Sequence, residues 1–264
     1  MTAFTHYLVI DFEASGVVPD SREWEIVEFP IVVVDAQSRC VLPVEFHSYV
    51  RPTRNPILSS ACKQNCGILQ DDVDQAPDIE TVILHASSFV ESLALQDSAF
   101  AVVTCGDYDL GTALPAESLK KGIDIPKWLQ QWVNIKVPFE ARFGHKTGMK
   151  GMLRHLRLPL EGRHHSGIDD ARNIAKLVVA LLRDGCSLEI TGGSKHLALP
   201  TVRDEAEIAH LVQTSMARGN LATPESSAVV HPKHAGESMC SPEFAGGGRA
   251  FLPEGHAKRR WGRH

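Results

Sequence analysis

Three short stretches carry acids and histidines at spacings that suit one kind of chemistry. "YLVIDFEASG" (7–16) runs an apolar strand into Asp11 and, two residues on, Glu13. "VVTCGDYDLG" (102–111) runs a second apolar strand into Asp107 and Asp109. "HHSGIDDARNIA" (164–175) places His164, His165, Asp169 and Asp170 where a long apolar-striped helix begins. Residues i and i+2 of a strand share a face, so Asp11 and Glu13 point together, and two carboxylates there repel and resist loss of water. Acids gathered from several such ends form an oxygen-rich cage suited to Mg²⁺ or Mn²⁺. Two ions about 3.5–4 Å apart stabilise both the entering and the leaving oxygen of an in-line phosphoryl displacement. A histidine titrating near neutrality is the usual base for the attacking water, and His165 stands five residues before Asp170.

Taken singly, each element has a plainer use. Asp107 or Asp109 can cap the helix that follows. Asp169 and Asp170 suit the positive end of a helix. His165 is one of 13 histidines. Together they point to a site, because each falls at the end of a strand or the start of a helix, where the crevice of an open α/β sheet forms.

The elements that must bring them together can be read from apolar periodicity. "YLVIDF", "EIVEFPIVVVD" (25–35) and "VLPVEFHSYVRP" (41–52) read as three strands of an antiparallel meander, with Pro30 marking a bulge or an edge position. Residues 79–95 have helical spacing, "FAVVTCG" (100–106) is a fourth strand, and a helix follows from Tyr108 or Asp109 towards Lys121. "WVNIKV" (132–137) is a short fifth strand, and 150–158 and 169–185 are helices, the second with Gly185 at its C-cap. This is an α/β chain with a mixed five-stranded sheet flanked by helices. The domain is expected over 1–190, followed by a tail over 191–264 with one helix at 201–219 and little order beyond it.

The bulk composition excludes other classes. Of 264 residues, 43% are hydrophobic and 22% charged, an ordinary globular balance. No apolar run reaches membrane-spanning length, and the start of the chain carries no basic, cleavable leader, so an intracellular protein without a membrane partner is expected, cytoplasmic or nuclear. The six cysteines make no paired zinc spacing. The net charge of −5 hides a local reversal, since residues 136–176 hold nine Lys and Arg against four acids, a balance of +5. Those cations are candidates to follow a phosphate backbone, with Phe139 and Phe143 as stacking surfaces or, more simply, core. "KRRWGRH" at the C-terminus is a basic, aromatic-containing run that suits nucleic acid or a localisation signal.

The three acidic stretches resemble the motifs of the DEDDh 3′–5′ exonuclease superfamily, whose fold is similar to ribonuclease H. Within it the chain resembles the enhanced-RNAi exonuclease family, which includes the histone-mRNA 3′ exonuclease, through "EIVEFPIVVVD", "YVRPTRNPILSSACKQNCGILQDDVDQA", "WVNIKVPFEARFG" and "HSGIDDARNIAKLVVALLRDG". The resemblance runs from residue 7 to about 190 and suggests a short member holding the catalytic domain alone. It implies a ribonuclease H-like fold and metal-dependent 3′–5′ exoribonuclease activity that releases nucleoside 5′-monophosphates. Asp11, Glu13, Asp109 and Asp170 would be ligands of two Mg²⁺ or Mn²⁺ ions, His165 the general base, and Ala14, Ser15 and His165 contacts of the 3′-terminal nucleotide. Asp109 is selected over Asp107 by T-x-G-x-x-D, and His165 over His164 by its spacing to Asp170. The partner would be an RNA 3′ end, single-stranded or with a short overhang. The alternatives are a 3′–5′ DNA exonuclease and a non-catalytic RNA- or protein-binding adaptor on the same fold. Cys66 stands where the family usually has Thr, and Cys105 where it often has Asp; neither change removes an expected ligand.

Overall fold

The computed structural model describes residues 4–16, 24–95 and 99–193. The expected tail helix at 201–219 and the basic run at the C-terminus lie outside the described residues. The strands are β1 (His6–Val9), β2 (Glu13–Ala14), β3 (Ile26–Asp35), β4 (Cys40–Tyr49), β5 (Phe100–Thr104), β6 (Gln131–Asn134) and β7 (Gly192–Gly193). The helices are α1 (Ser60–Cys66), α2 (Gln70–Asp74), α3 (Ile79–Ser92), α4 (Leu114–Lys121), α5 (Lys136–Phe143), α6 (Met149–His155) and α7 (Gly167–Arg183).

The strands form one mixed sheet. β1 runs antiparallel to β3 and β3 antiparallel to β4, which is the meander expected from the sequence. On its other side β1 is parallel to β5, and β5 is parallel to β6. The sheet therefore has seven strands rather than five. The two additions, β2 and β7, are two residues long each, too short to show any period.

The expected continuous strand through Phe12 is interrupted. β1 stops at Val9 and β2 resumes at Glu13, both pairing with β3. Between them Ile10 N–H still donates to Val103 O of β5 at 2.9 Å, so the backbone leaves β3 while it keeps its parallel neighbour. Pro30 sits in β3 opposite this gap, where neither β1 nor β2 has a paired residue. A proline, which has no N–H to donate, is tolerated there inside a central strand.

Alternation along the strands sends side chains to two cores. Leu8, Ile31, Val33 and Val102 face α3 and α4, with Phe46, Ile83 and Leu114 in the same cluster. Val9, Val32, Val34 and Val103 face the other way, onto Phe139, Met152, Ile174, Val178 and Leu181 of α5, α6 and α7. Phe139 is thus a core residue and not a stacking surface. Because α7 carries Asp170, its buried stripe also fixes the height of the candidate site. Ile174 is fully buried, and Ile174→Ala is expected to cost about 2–5 kcal/mol of unfolding free energy, measured by urea denaturation at constant m-value.

Candidate active site

The site lies where the parallel strands β1 and β5 end and α7 begins. The gap between β1 and β2 holds Asp11, and Glu13 opens β2. The gap and a register shift between Glu13 and Ala14 keep both carboxylates at the crevice. Asp170 enters from the first turn of α7. Ligand atoms of Asp11, Glu13 and Asp170 lie within 4.8 Å of one another. Asp11 and Glu13 keep partial solvent contact, whereas Asp170 is buried.

Asp109 reaches the same place from the turn after β5. It is buried, and its Oδ1 accepts the Phe12 N–H at 3.0 Å, between the two first-motif acids. It is not part of the tight set of three, yet its charge acts directly on Asp11. Asp107 is placed differently. Its oxygens accept from Trp132 Nε1 at 2.8 Å and Asn134 Nδ2 at 3.0 Å, so it ties the turn to β6. Asp169 faces away from the acids, accepting from Arg163 N–H at 2.9 Å and pairing with Arg172 at 3.0 Å.

The two histidines occupy different positions. His164 Nδ1 is 2.9 Å from Asp170 Oδ2, and the same oxygen accepts the His165 backbone N–H at 2.9 Å. The His165 ring is exposed and stacks on His164 with ring centroids 3.9 Å apart. His165 has φ of +65°, an uncommon conformation for a residue with a side chain and one that concentrates at functional sites. Ala14 is half-buried, while Ser15 is fully buried with its Oγ accepting from Glu25 N–H at 3.1 Å.

The electrostatics follow from this crowding. Burial first, and then the carboxylates of Asp109, Asp170, Glu13 and Glu28, push Asp11 well above the usual carboxylate range. Burial and Glu28 push Glu13 up to about 8. Burial raises Asp109 to about 6, against the opposing pull of the Phe12 N–H bond and Lys136. Burial lowers His165, with His164, Lys150 and Arg163 adding to the shift. A set of oxygen donors that repel one another when ionised fits a hard divalent cation.

Sequence reasoning missed Glu28, and it read Lys136 only as one of the phosphate-tracking cations, not as a neighbour of Asp109. Glu28 is buried at the N-terminus of α7, and Lys136 lies beside Gly106 and Asp109. A lone acid within "IVEFP" was the available signal for Glu28, but a strand acid turned to solvent would look the same. Several expected phosphate-tracking cations have internal partners: Arg172 binds Glu45 and Asp169, Lys176 binds Pro159 O, and Arg163 binds the carbonyls of Gln64 and Asn65.

Known proteins resemble this chain in sequence and in fold. The exonuclease family model RNase_T matches residues 8–178. ERI1 exoribonuclease 2 of Danio rerio is 37% identical over 205 residues, which cover 71% of this chain and 37% of that protein. The 3′–5′ exonuclease Snipper of Drosophila melanogaster is 32% identical over 211 residues, 72% of this chain and 74% of that protein. Among solved structures, the nuclease domain of 3′hExo, a DEDDh family member bound to rAMP, superposes with a TM-score of 0.69 at 29% identity, covering 72% of this chain and 98% of that one. The chain thus matches little more than a third of the length of the zebrafish relative.

The raised carboxyl groups give a pH dependence of definite sign. In the metal-free protein Glu13 holds its proton up to about pH 8, whereas the unfolded chain releases it in the ordinary carboxylate range. The native state then binds more protons, so this group's contribution to stability falls as pH rises through that window. The melting temperature of Glu13→Gln should therefore gain on that of the wild type between about pH 5 and 8. Adding Mn²⁺ at the upper end should raise the wild-type value and release protons; differential scanning fluorimetry and calorimetry read both.

Proposed function

Because the chain belongs to the exonuclease family, we propose that it is a metal-dependent 3′–5′ exoribonuclease that removes nucleoside 5′-monophosphates from RNA 3′ ends. The observation that carries this reading is the convergence of Asp11 and Glu13 with Asp170, more than 150 residues away in sequence, within 4.8 Å. The names of the zebrafish relative and of the rAMP-bound nuclease domain support RNA as the substrate.

Asp11, Glu13, Asp109 and Asp170 would hold two Mg²⁺ or Mn²⁺ ions. When bound, such ions stabilise the developing charge on the entering and leaving oxygens. The protein's own residues do the rest. A ring nitrogen of His165, kept neutral near pH 7 by its lowered pKa, takes the proton of the attacking water. The water oxygen bonds to phosphorus as the bond to the 3′ oxygen of the preceding nucleotide breaks. That oxygen takes up a proton from solvent, and His165 returns its own to solvent, so the shortened chain again ends in a 3′-hydroxyl. His164, bonded to Asp170, orients that carboxylate. Ala14, half-buried after Glu13, would face the terminal nucleotide, and Ser15 would contribute through the placement of β2, since its hydroxyl is engaged. Lys136 and Lys150, which act electrostatically on Asp109 and His165, are placed to meet phosphate. A single-stranded 3′ end or short overhang is the form a crevice of this kind would accept.

The test is digestion of 5′-labelled RNA and DNA oligonucleotides in Mg²⁺ or Mn²⁺. A ladder shortening from the 3′ end, faster on RNA, is expected, and faster digestion of DNA would turn the reading to a deoxyribonuclease. Asp11→Ala and Asp109→Asn should abolish cleavage in folded protein. His165→Ala should lower turnover by about 10²–10⁴-fold and His164→Ala by less. The opposite order would exchange the two histidine roles, and wild-type cleavage by either acid variant would refute the metal-site assignment.

A further inference from the structure

Helix α7 begins without a cap of its own. Ser166 occupies the N-cap position but its side chain makes no capping bond. The first N–H groups of a helix have no intrahelical partner and need an acceptor. Here Gly167 N–H and Ile168 N–H donate to the two oxygens of Glu28, at 2.9 and 3.0 Å, from a strand residue about 140 positions earlier. His47 Nε2 approaches the same carboxylate from β4 at 2.9 Å. Glu28 is only 2% exposed, so a helix N-terminus and an imidazole stand in for lost water.

This arrangement has an energetic cost. Glu28 lies directly opposite Glu13 in the β2–β3 register, so the two carboxyl groups cannot both ionise there without opposing the pairing. A neutral amide would avoid the repulsion but would offer one acceptor oxygen where Gly167 and Ile168 now use two. The contact also has little slack. A Cβ on Gly167 would lie 2.6 Å from the Asp11 carbonyl oxygen and 3.2 Å from Glu28 Cδ, so the first turn of α7 rests directly on the strand that carries the first-motif acids. Asp170 belongs to that turn, its N–H donating to Ser166 O at 2.8 Å.

We propose that Glu28 is a positioning residue for the candidate metal site: its two bonds to Gly167 and Ile168, braced by His47, hold the first turn of α7 where Asp170 meets Asp11 and Glu13. The inference rests on the metal-dependent reading above, and its test separates the two. In Glu28→Gln one oxygen and one amide group replace two acceptors. Backbone hydrogen exchange in the metal-free variant should accelerate at least about tenfold over residues 167–170, while β4 and α3 remain protected. Mn²⁺ affinity, read by electron paramagnetic resonance of the free ion, should weaken by about 10–100-fold. Unchanged exchange in that turn, or a lowered melting temperature with unchanged Mn²⁺ affinity, would overturn the proposal. If Glu28→Gln does not fold, His47→Gln loosens the brace while leaving both backbone bonds, and smaller shifts of the same two readouts are expected; their absence counts against the proposal equally. A wild-type protein that binds no Mn²⁺ would defeat the metal reading, while the exchange comparison would still decide whether Glu28 holds the turn.

Discussion

Carboxyl groups crowded side by side at a half-buried crevice are the constraint on which this structure turns. Two acids within 4.8 Å of each other would, if both ionised, repel by at least roughly 3 kcal/mol at an effective dielectric near 20. Nothing in the acids themselves keeps them together. The sheet delivers Asp11 and Glu13, α7 delivers Asp170, and the turn after β5 delivers Asp109. Packing elsewhere must oppose their separation. Each fully buried aliphatic residue of α7, such as Ile174, Leu177 or Leu181, contributes about 1.5–3 kcal/mol through burial. Two of them offset one repelling pair. The long apolar stripe of α7 is therefore part of the site as well as part of the core.

Hydrogen bonds then decide where each acid stands. The Phe12 N–H is withdrawn from the sheet by the gap after β1 and is taken by Asp109. One oxygen of Asp170 receives both the His165 N–H and the His164 ring. The gap in the strand thus has two consequences: it frees a donor for Asp109, and it exposes Asp11 to the crevice. An uninterrupted strand would have spent that N–H on the ladder and left Asp109 buried without it.

These features differ in how far the sequence reveals them. β1, β3, β4, β5 and β6 stand out because each is an apolar run bounded by turn residues, and α7 because Ile174, Leu177, Val178 and Leu181 recur on one stripe. The acids of the three motifs are legible for the same reason, since each interrupts or ends such a run. The gap after Val9 is not legible: nothing in "VIDFEA" distinguishes a strand that continues on both sides from one that keeps β5 and leaves β3. "WVNIKV" likewise reads as a strand through 137, but the sheet ends at Asn134 and α5 starts at Lys136. Glu28 was hidden because its partners are backbone groups about 140 residues away, and backbone groups leave no mark in a sequence.

The basic segment shows the same limit from the side of charge. Its surplus of cations over acids reads as a path for phosphate, yet much of it is used to hold acids and carbonyls in place. Arg172 joins Glu45 of β4 to Asp169, fastening α7 across the sheet. Arg163 places its guanidinium against the carbonyls of Gln64 and Asn65 at the end of α1. Gly67 is required there: its φ is +78°, and any Cβ would collide with that guanidinium. Arg163 directly precedes the two histidines, so this contact links the histidine loop to α1, while Cys62 of α1 contacts Ala14 O. The histidine loop and β2 are therefore tied to a common helix. A count of charges finds none of this, because it depends on which cations face carbonyls and which, such as Lys136 and Lys150, act on Asp109 and His165.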